Sequence, residues 1–236
     1  MTIFDYLLAN IIVVIGSFLQ AATGLGGGLI MVPLLILISF DFVPAPLLVS
    51  TLFLSALIFY KEQDALATEG LTIIIVELLF GSLIGGMMLY GMVFKDFVHL
   101  FGYVLIVAVL ISLFGDQKKI SLPIKVGASL LSGFMGTVAG VGAPLLALLF
   151  QFHEPKSIRA TLSLLYMIAI VIMLSVLYGI NQFHWYEFLL GLSLLPGIVI
   201  GWKLAPWVTP FINNKIARAL ILVFVMICAI YLLIKY

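Results

Sequence analysis

Nowhere in this 236-residue chain do long apolar runs stand more than about ten residues apart, which leaves no room for an independently folded soluble domain between them. Runs such as 71–90, 97–114 and 216–234 approach or exceed the roughly 18 apolar residues that a membrane span requires, and only Glu77 is ionised within the first. Hydrophobic residues make up 64% of the sequence and charged residues 9%, against about 25% charged in an ordinary soluble domain. The fold class is therefore an all-α polytopic membrane protein, because a helix satisfies its own backbone in lipid. The short connectors exclude a sensor, a nucleotide-binding domain or a large catalytic head. A net charge of +1 points to neither nucleic acid nor an acidic partner. Asp5 and the lack of any Lys or Arg before Lys61 do not make a cleavable signal, so the first segment is expected to be retained. Cys228, the one cysteine, has no Cys or His at metal spacing, and neither metal nor cofactor is expected.

The apolar segments fall at about 4–22, 27–40, 45–60, 70–92 and 97–114, then, after the polar Gly115-Asp-Gln-Lys-Lys119, at about 122–138, 142–152, 157–180, 184–207 and 214–235. This divides the chain into a first membrane repeat (1–115), a connector (116–121) and a second repeat (122–236), forming one integral-membrane unit. The second segment of each half is short. About 14 residues reach only some 21 Å at 1.5 Å per residue, less than the roughly 30 Å hydrocarbon core, so these segments either re-enter or cross incompletely.

The halves look alike at a fixed spacing. Gly24-Leu-Gly26 matches Gly140-Val-Gly142, and Gly81-Ser-Leu-Ile-Gly85 matches Gly197-Ile-Val-Ile-Gly201; 140 − 24 and 197 − 81 both equal 116. Ser50-Thr51-Leu52 and Ala160-Thr161-Leu162 lie in matching segments that follow Pro44 and Pro155. Charge then sets the orientation. With an odd number of crossings per half, Lys61, Lys118, Lys119, Lys125, Lys156, Arg159, Lys203, Lys215 and Arg218 share one side, and only Lys95 and Lys235 take the other. With four crossings per half the same cations divide almost evenly. The positive-inside rule selects the odd count. An odd count makes the halves two inverted repeats with both termini outside the cytoplasmic membrane. Trp185, Tyr186 and Tyr236 near the outer ends, and Tyr60 and Trp207 near the inner ends, suit aromatic belts.

Thr23-Gly-Leu-Gly-Gly-Gly28, running into Leu29-Ile-Met-Val-Pro33, has a shorter echo in Ala139-Gly-Val-Gly-Ala143 and Pro144. Each glycine costs about 1 kcal/mol relative to Ala inside a helix, so these runs are not there for helix stability. A broken helix at membrane depth must be buried in protein or line a cavity, and paired breaks in two halves point to a transporter's binding site. These motifs and the two-half layout resemble the sulfite exporter TauE/SafE family of membrane transporters over essentially the whole chain. The resemblance implies transport of sulfite, sulfonates or other sulfur-containing anions. The second motif, Gly-Val-Gly-Ala-Pro, has fewer glycines than members often keep, so the halves are expected to contribute unequally.

The chemistry of the breaks is compatible with an anion. A helix start leaves backbone N–H groups unpaired and carries the positive end of the dipole. The expected core of the substrate site is Thr23, Gly24, Gly26, Gly27, Gly28, Gly140, Gly142 and Ala143, lined by Gln20, Thr51, Thr137 and Thr161. Plain helix packing competes with this reading. Gly24/Gly28, Gly81/Gly85, Gly136/Gly140 and Gly197/Gly201 are all small-xxx-small pairs. We read the fourth-segment pairs as packing and the breaks as substrate contact. Thr51 and Thr161 remain open to capping or back-bonding.

Glu77, well inside a span, is the candidate for proton coupling; the alternatives are that it snorkels to the interface or pairs with an inner-end cation such as Lys125 or Arg159. Arg159 and Arg218 at inner ends are explained by topology or by attraction of an anion to an inner vestibule. His99, His153 and His184 are read as interfacial. The expected function is a secondary transporter, not an enzyme, moving a small anion by alternating access. An anion channel and a non-transporting scaffold are the alternatives. A hydrolase is rejected because no His follows Gly191-Leu-Ser193 in a later span. Expected partners are the anion, the lipid bilayer and a coupling proton or other ion; a homo-oligomer is compatible with the sequence.

Overall fold

The computed structural model describes residues 1–24, 27–68, 70–90, 122–150 and 154–208, together with isolated positions between 99 and 110 and between 223 and 234. Its helices are α1 (Ile3–Thr23), α2 (Gly27–Ile38), α3 (Ala45–Glu62), α4 (Leu71–Leu89), α5 (Leu122–Ala139), α6 (Ala143–Phe150), α7 (Pro155–Gly179), α8 (Trp185–Leu192) and α9 (Leu195–Val208). Among the described residues, six helical stretches are long and apolar enough to cross a membrane: Ile3–Thr23, Ala45–Ala65, Leu71–Leu89, Leu122–Ala139, Pro155–Gly179 and Trp185–Trp207. The chain is thus a multi-pass helical membrane protein. The connector 116–121, Cys228, His153 and the cations at 95, 118, 119, 215, 218 and 235 lie outside the described residues, as does most of the fifth and tenth segments.

Helix direction follows from contacts at the two ends of the bundle. At one end Arg159, opening α7, pairs with Glu62, closing α3, at 2.8 Å. Gly24, just past α1, lies against the same arginine, and Lys61 sits 6.0 Å over the Trp202 ring of α9. The backbone N–H of Ala67, before α4, donates to Thr161 Oγ1 of α7 at 2.9 Å, and Lys125 of α5 lies against Gly70. At the opposite end Tyr6 of α1 meets Phe42 edge-on. Leu89 of α4, Leu177 of α7 and Glu187 of α8 share a cavity there with Asp41. Hence α1, α3 and the α8–α9 pair run towards the Arg159 end, whereas α4, α5 and α7 run away from it. All of the described cations of α3, α5, α7 and α9 sit at or near that end, as their sequence positions require. Tyr60 and Trp207 are exposed near the Arg159 end, and Trp185 and Tyr186 near the Asp41 end.

Two close-packed seams hold the bundle together. A Cβ at Gly81 or Gly133 would fall on the backbone of Leu130 or Leu78, so α4 and α5 pack backbone to backbone. Likewise, Gly197 faces the Asn10 carbonyl and Gly201 the Val14 carbonyl and Ser17, joining α9 to α1. Shifting α1 by 116 residues lands on α5, and shifting α4 lands on α8–α9. Each seam therefore joins the first helix of one half to the fourth segment of the other. Without a hydrophobic force between helices in lipid, such approach supplies the packing that holds them. The apolar core includes Val13, Met31, Leu47, Leu54, Leu78, Leu145 and Leu165, whereas Leu7, Ile11, Phe80, Ile84 and Met87 face outward.

One expected element differs. The segment expected at 184–207 is two helices separated by a turn at Ser193–Leu194. Pro196 supplies the reason, since it has no N–H to donate and its ring clashes with the carbonyl four residues earlier. The adjoining turn finds partners in α1. Asn10 Nδ2 donates to the Ser193 carbonyl at 3.1 Å, while Asn10 Oδ1 accepts from the Gly197 N–H at 2.9 Å.

Candidate functional site

Both sequence-predicted breaks form, with the same backbone geometry. α1 ends at Gly24 (φ 72°) and α5 at Gly140 (φ 69°). In each, the cap N–H donates to the carbonyl four residues back, Gln20 or Gly136, at 2.8 Å. Such a left-handed cap suits glycine, which has no Cβ to clash. Three residues later a short helix begins, α2 at Gly27 and α6 at Ala143. Gly26, expected in the site, lies outside the described residues. α2 covers about 18 Å at 1.5 Å per residue, less than the roughly 30 Å hydrocarbon core, so the helix makes only part of the return from Gly24 at the Arg159 end to Asp41 at the other.

The breaks meet. A Cβ at Gly28 would come 3.2 Å from the Gly140 carbonyl oxygen, and both glycines border one small cavity of about 50 Å³. Gln20, Thr51 and Gly142 line it as well, together with Leu48, Ser132, Gly136, Leu146, Tyr166, Ala169, Ile170 and Met173. No cationic side chain is among these lining residues. Gln20 is 5% exposed, and no hydrogen bond joins its side-chain amide to another described residue. It is therefore the lining group with donors to offer.

A family model described as sulfite exporter TauE/SafE matches residues 8–232. The chain belongs to the TauE/SafE family. That makes it a membrane transporter of the sulfite-exporter type, and nothing here points to catalysis. No curated protein and no solved structure matches the chain.

Other residues expected in the TauE/SafE site stand outside the cavity. Gly27 is not a lining residue; it packs where a Cβ would strike the Gly16 carbonyl of α1. Gly24 is a cap beside Arg159. Thr23 Oγ1 donates to the Leu19 carbonyl at 2.7 Å, and Thr137 Oγ1 to the Gly133 carbonyl at 3.0 Å. Thr161 holds the connector before α4. Even within the cavity lining, the Thr51 hydroxyl is spent on the Leu47 carbonyl at 2.8 Å and Ser132 on Gly142 at 2.6 Å. Such back-bonding relieves a hydroxyl in an apolar helix but leaves only its lone pairs for a ligand. Ala143 starts α6. The lining residues the sequence reading missed share a helical stripe with a residue it found or form one of their own. Ser132 and Gly136 precede Gly140 at steps of four, and Tyr166, Ala169, Ile170 and Met173 follow the i, i+3, i+4, i+7 spacing of one α7 face.

A larger cavity opens at each end of the bundle. At the Arg159 end about 270 Å³ is lined by Lys61, Glu62, Arg159, Trp202 and apolar neighbours. At the Asp41 end about 360 Å³ is lined by Asp41, Gln182, Glu187 and apolar residues. One vestibule is thus net basic and the other acidic. Glu77 is half-buried on α4 and borders none of these three cavities. Neither salt bridge expected as its alternative is found among the described residues, because Arg159 is engaged by Glu62.

Proposed function

We propose that this TauE/SafE-family protein is a secondary transporter that moves a small sulfur-containing anion, sulfite or a sulfonate, across the cytoplasmic membrane by alternating access. The observation that carries the reading is that both helix breaks border one small central cavity. There Gln20 and the backbone at the starts of α2 and α6 offer neutral donors to anion oxygens, aided by two helix dipoles. Neutral donors bind an oxyanion without the lasting hold of a buried arginine, which suits a carrier that must release its load. The opposite directions of α1 and α5 and the paired seams favour an inverted repeat, the architecture that alternating access exploits. The positive-inside rule puts the Arg159 end in the cytoplasm and the start of α1 outside. On that orientation the basic vestibule gathers anions from the cytoplasm and the acidic one disfavours their return, an arrangement suited to export.

Flux measured in liposomes tests this. Protein-containing vesicles should move sulfite or a small sulfonate at a rate that saturates with concentration and far exceeds that of empty vesicles. Unsaturated flux at channel rates would replace the carrier with a channel. No flux of any small anion would leave a scaffold.

A further inference from the structure

Three helices line both the central cavity and the basic vestibule: α1 through Gln20 and Ala21, α7 through Tyr166 and Arg159, and α3. Thr51 lines the central cavity, while Ile58 and Glu62 line the vestibule. Together with Ser55 they stand at i, i+4, i+7 and i+11, a single stripe along one face of the helix. Ser55 thus stands on that stripe between the residues that line the two cavities and lines neither. It is fully buried, and its hydroxyl has no hydrogen-bond partner. Other buried hydroxyls in these helices are satisfied: Ser17 donates to the Val13 carbonyl at 2.6 Å, Ser50 to Leu47 at 2.9 Å and Ser163 to Arg159 at 2.5 Å. Ser129 on α5 is also orphaned, but α5 contributes nothing to the basic vestibule. An unpaired buried hydroxyl is costly and calls for a reason. Alanine would fit the space and favour the helix more.

We propose that Ser55 is a substrate-pathway residue, whose hydroxyl donates to the anion as it passes between the central cavity and the basic vestibule. In this conformation that donor has no partner. When the α3 stripe parts from its neighbours, Ser55 becomes the next polar group the anion meets after Gln20 and Thr51. The inference rests on the transport reading above for its substrate but not for its route.

The test uses the full-length protein in membrane vesicles with Cys228→Ala. Ser55→Cys should be modified by a small impermeant sulfonate-bearing thiol reagent applied from the basic side, more slowly than Ile58→Cys but to completion. Separately, Ser55→Ala should transport several-fold more slowly than wild type while its thermal midpoint stays equal or rises. The proposal falls if Ser55→Cys remains unmodified under conditions that modify Ile58→Cys, or if Ser55→Ala transports like wild type. If wild type carries no sulfur-containing anion yet Ser55→Cys is modified, the route stands and the substrate assignment fails.

Discussion

The two helix breaks share a backbone and differ in what they put around it. Gly24 and Gly140 cap their helices with nearly the same dihedral and the same bond to the residue four back. Their surroundings trade side chains across the offset of 116. Gln20 corresponds in sequence to Gly136, Gly16 to Ser132 and Gly28 to Pro144. One half therefore contributes an amide where the other contributes space. A cavity of about 50 Å³ could not hold two glutamines and still admit an oxyanion. The two caps thus match in backbone while the residues around them differ.

The largest effect should come from the seams, where the halves are most alike. Gly81→Val drives a side chain into the Leu130 backbone, and Gly201→Val drives one into Val14 and Ser17. Neither clash can be relieved by a rotamer change. Overpacking of this kind costs about 3 kcal/mol or more, so both variants should lose most of their folded protein. The yield of monodisperse protein in detergent reads this out. If one variant folds normally, the two seams are not equivalent and the repeat argument weakens.

Next in size are variants that probe the asymmetry. Gln20→Leu keeps the bulk and removes the donor. A hydrogen bond to a charged group is worth about 1.5–3 kcal/mol, so sulfite or sulfonate flux should fall about ten- to a hundred-fold with the thermal midpoint little changed. At the counterpart, Gly136→Ala meets only the flexible end of Met173, and flux should fall far less. Equal losses at the two positions would mean that the amide is not the recognition group.

A smaller change is expected at the Arg159 end. The forked contact from Arg159 Nε and Nη2 to Glu62 at 2.8–3.0 Å clamps α3 to α7. No Lys or Arg bridge does the same at the Asp41 end among the described residues. Both side chains are mostly buried, at 17% and 14% exposure, so Glu62→Gln should cost about 2 kcal/mol and lower the thermal midpoint by several degrees. An unchanged midpoint would show that the clamp is not a difference between the ends.

How much of this was legible in the sequence follows from what each signal physically is. Spans, helix directions and the clustering of basic residues were readable, because bilayer thickness and charge bias act on composition alone. The helix ends at Gly24 and Gly140 were readable because several closely spaced glycines disfavour a continuous helix. The turn before Pro196 was missed because apolar content stays high through it, although the proline marked it. Thr23, Thr137 and Thr161 were misplaced as cavity-lining residues for a different reason. A hydroxyl on a helix has a carbonyl within reach on its own chain, and only geometry reveals which one is free. Ser132 and the α7 stripe needed the tertiary arrangement, since helical spacing names a face but not what lies opposite.

The smallest effect should come at Glu77, the one acid deep in the first half's fourth segment, whose counterpart at the same offset is Ser193. A coupling carboxyl must reach the pathway alternately from each side, and burial must raise its affinity for protons towards the working pH. Glu77 borders neither the central cavity nor either vestibule. It lies on α4 next to Leu78, whose backbone forms the seam with Gly133. In this geometry its side chain stands apart from all three cavities. Glu77→Gln should therefore leave the response of uptake to an imposed pH gradient unchanged, with at most a slight shift in the thermal midpoint. Uptake into liposomes with and without the gradient, for wild type and variant side by side, measures it. A variant that still exchanges anion between equal pools but no longer accumulates it under the gradient would make Glu77 the coupling site. The asymmetry between the halves would then extend from substrate recognition to energy coupling.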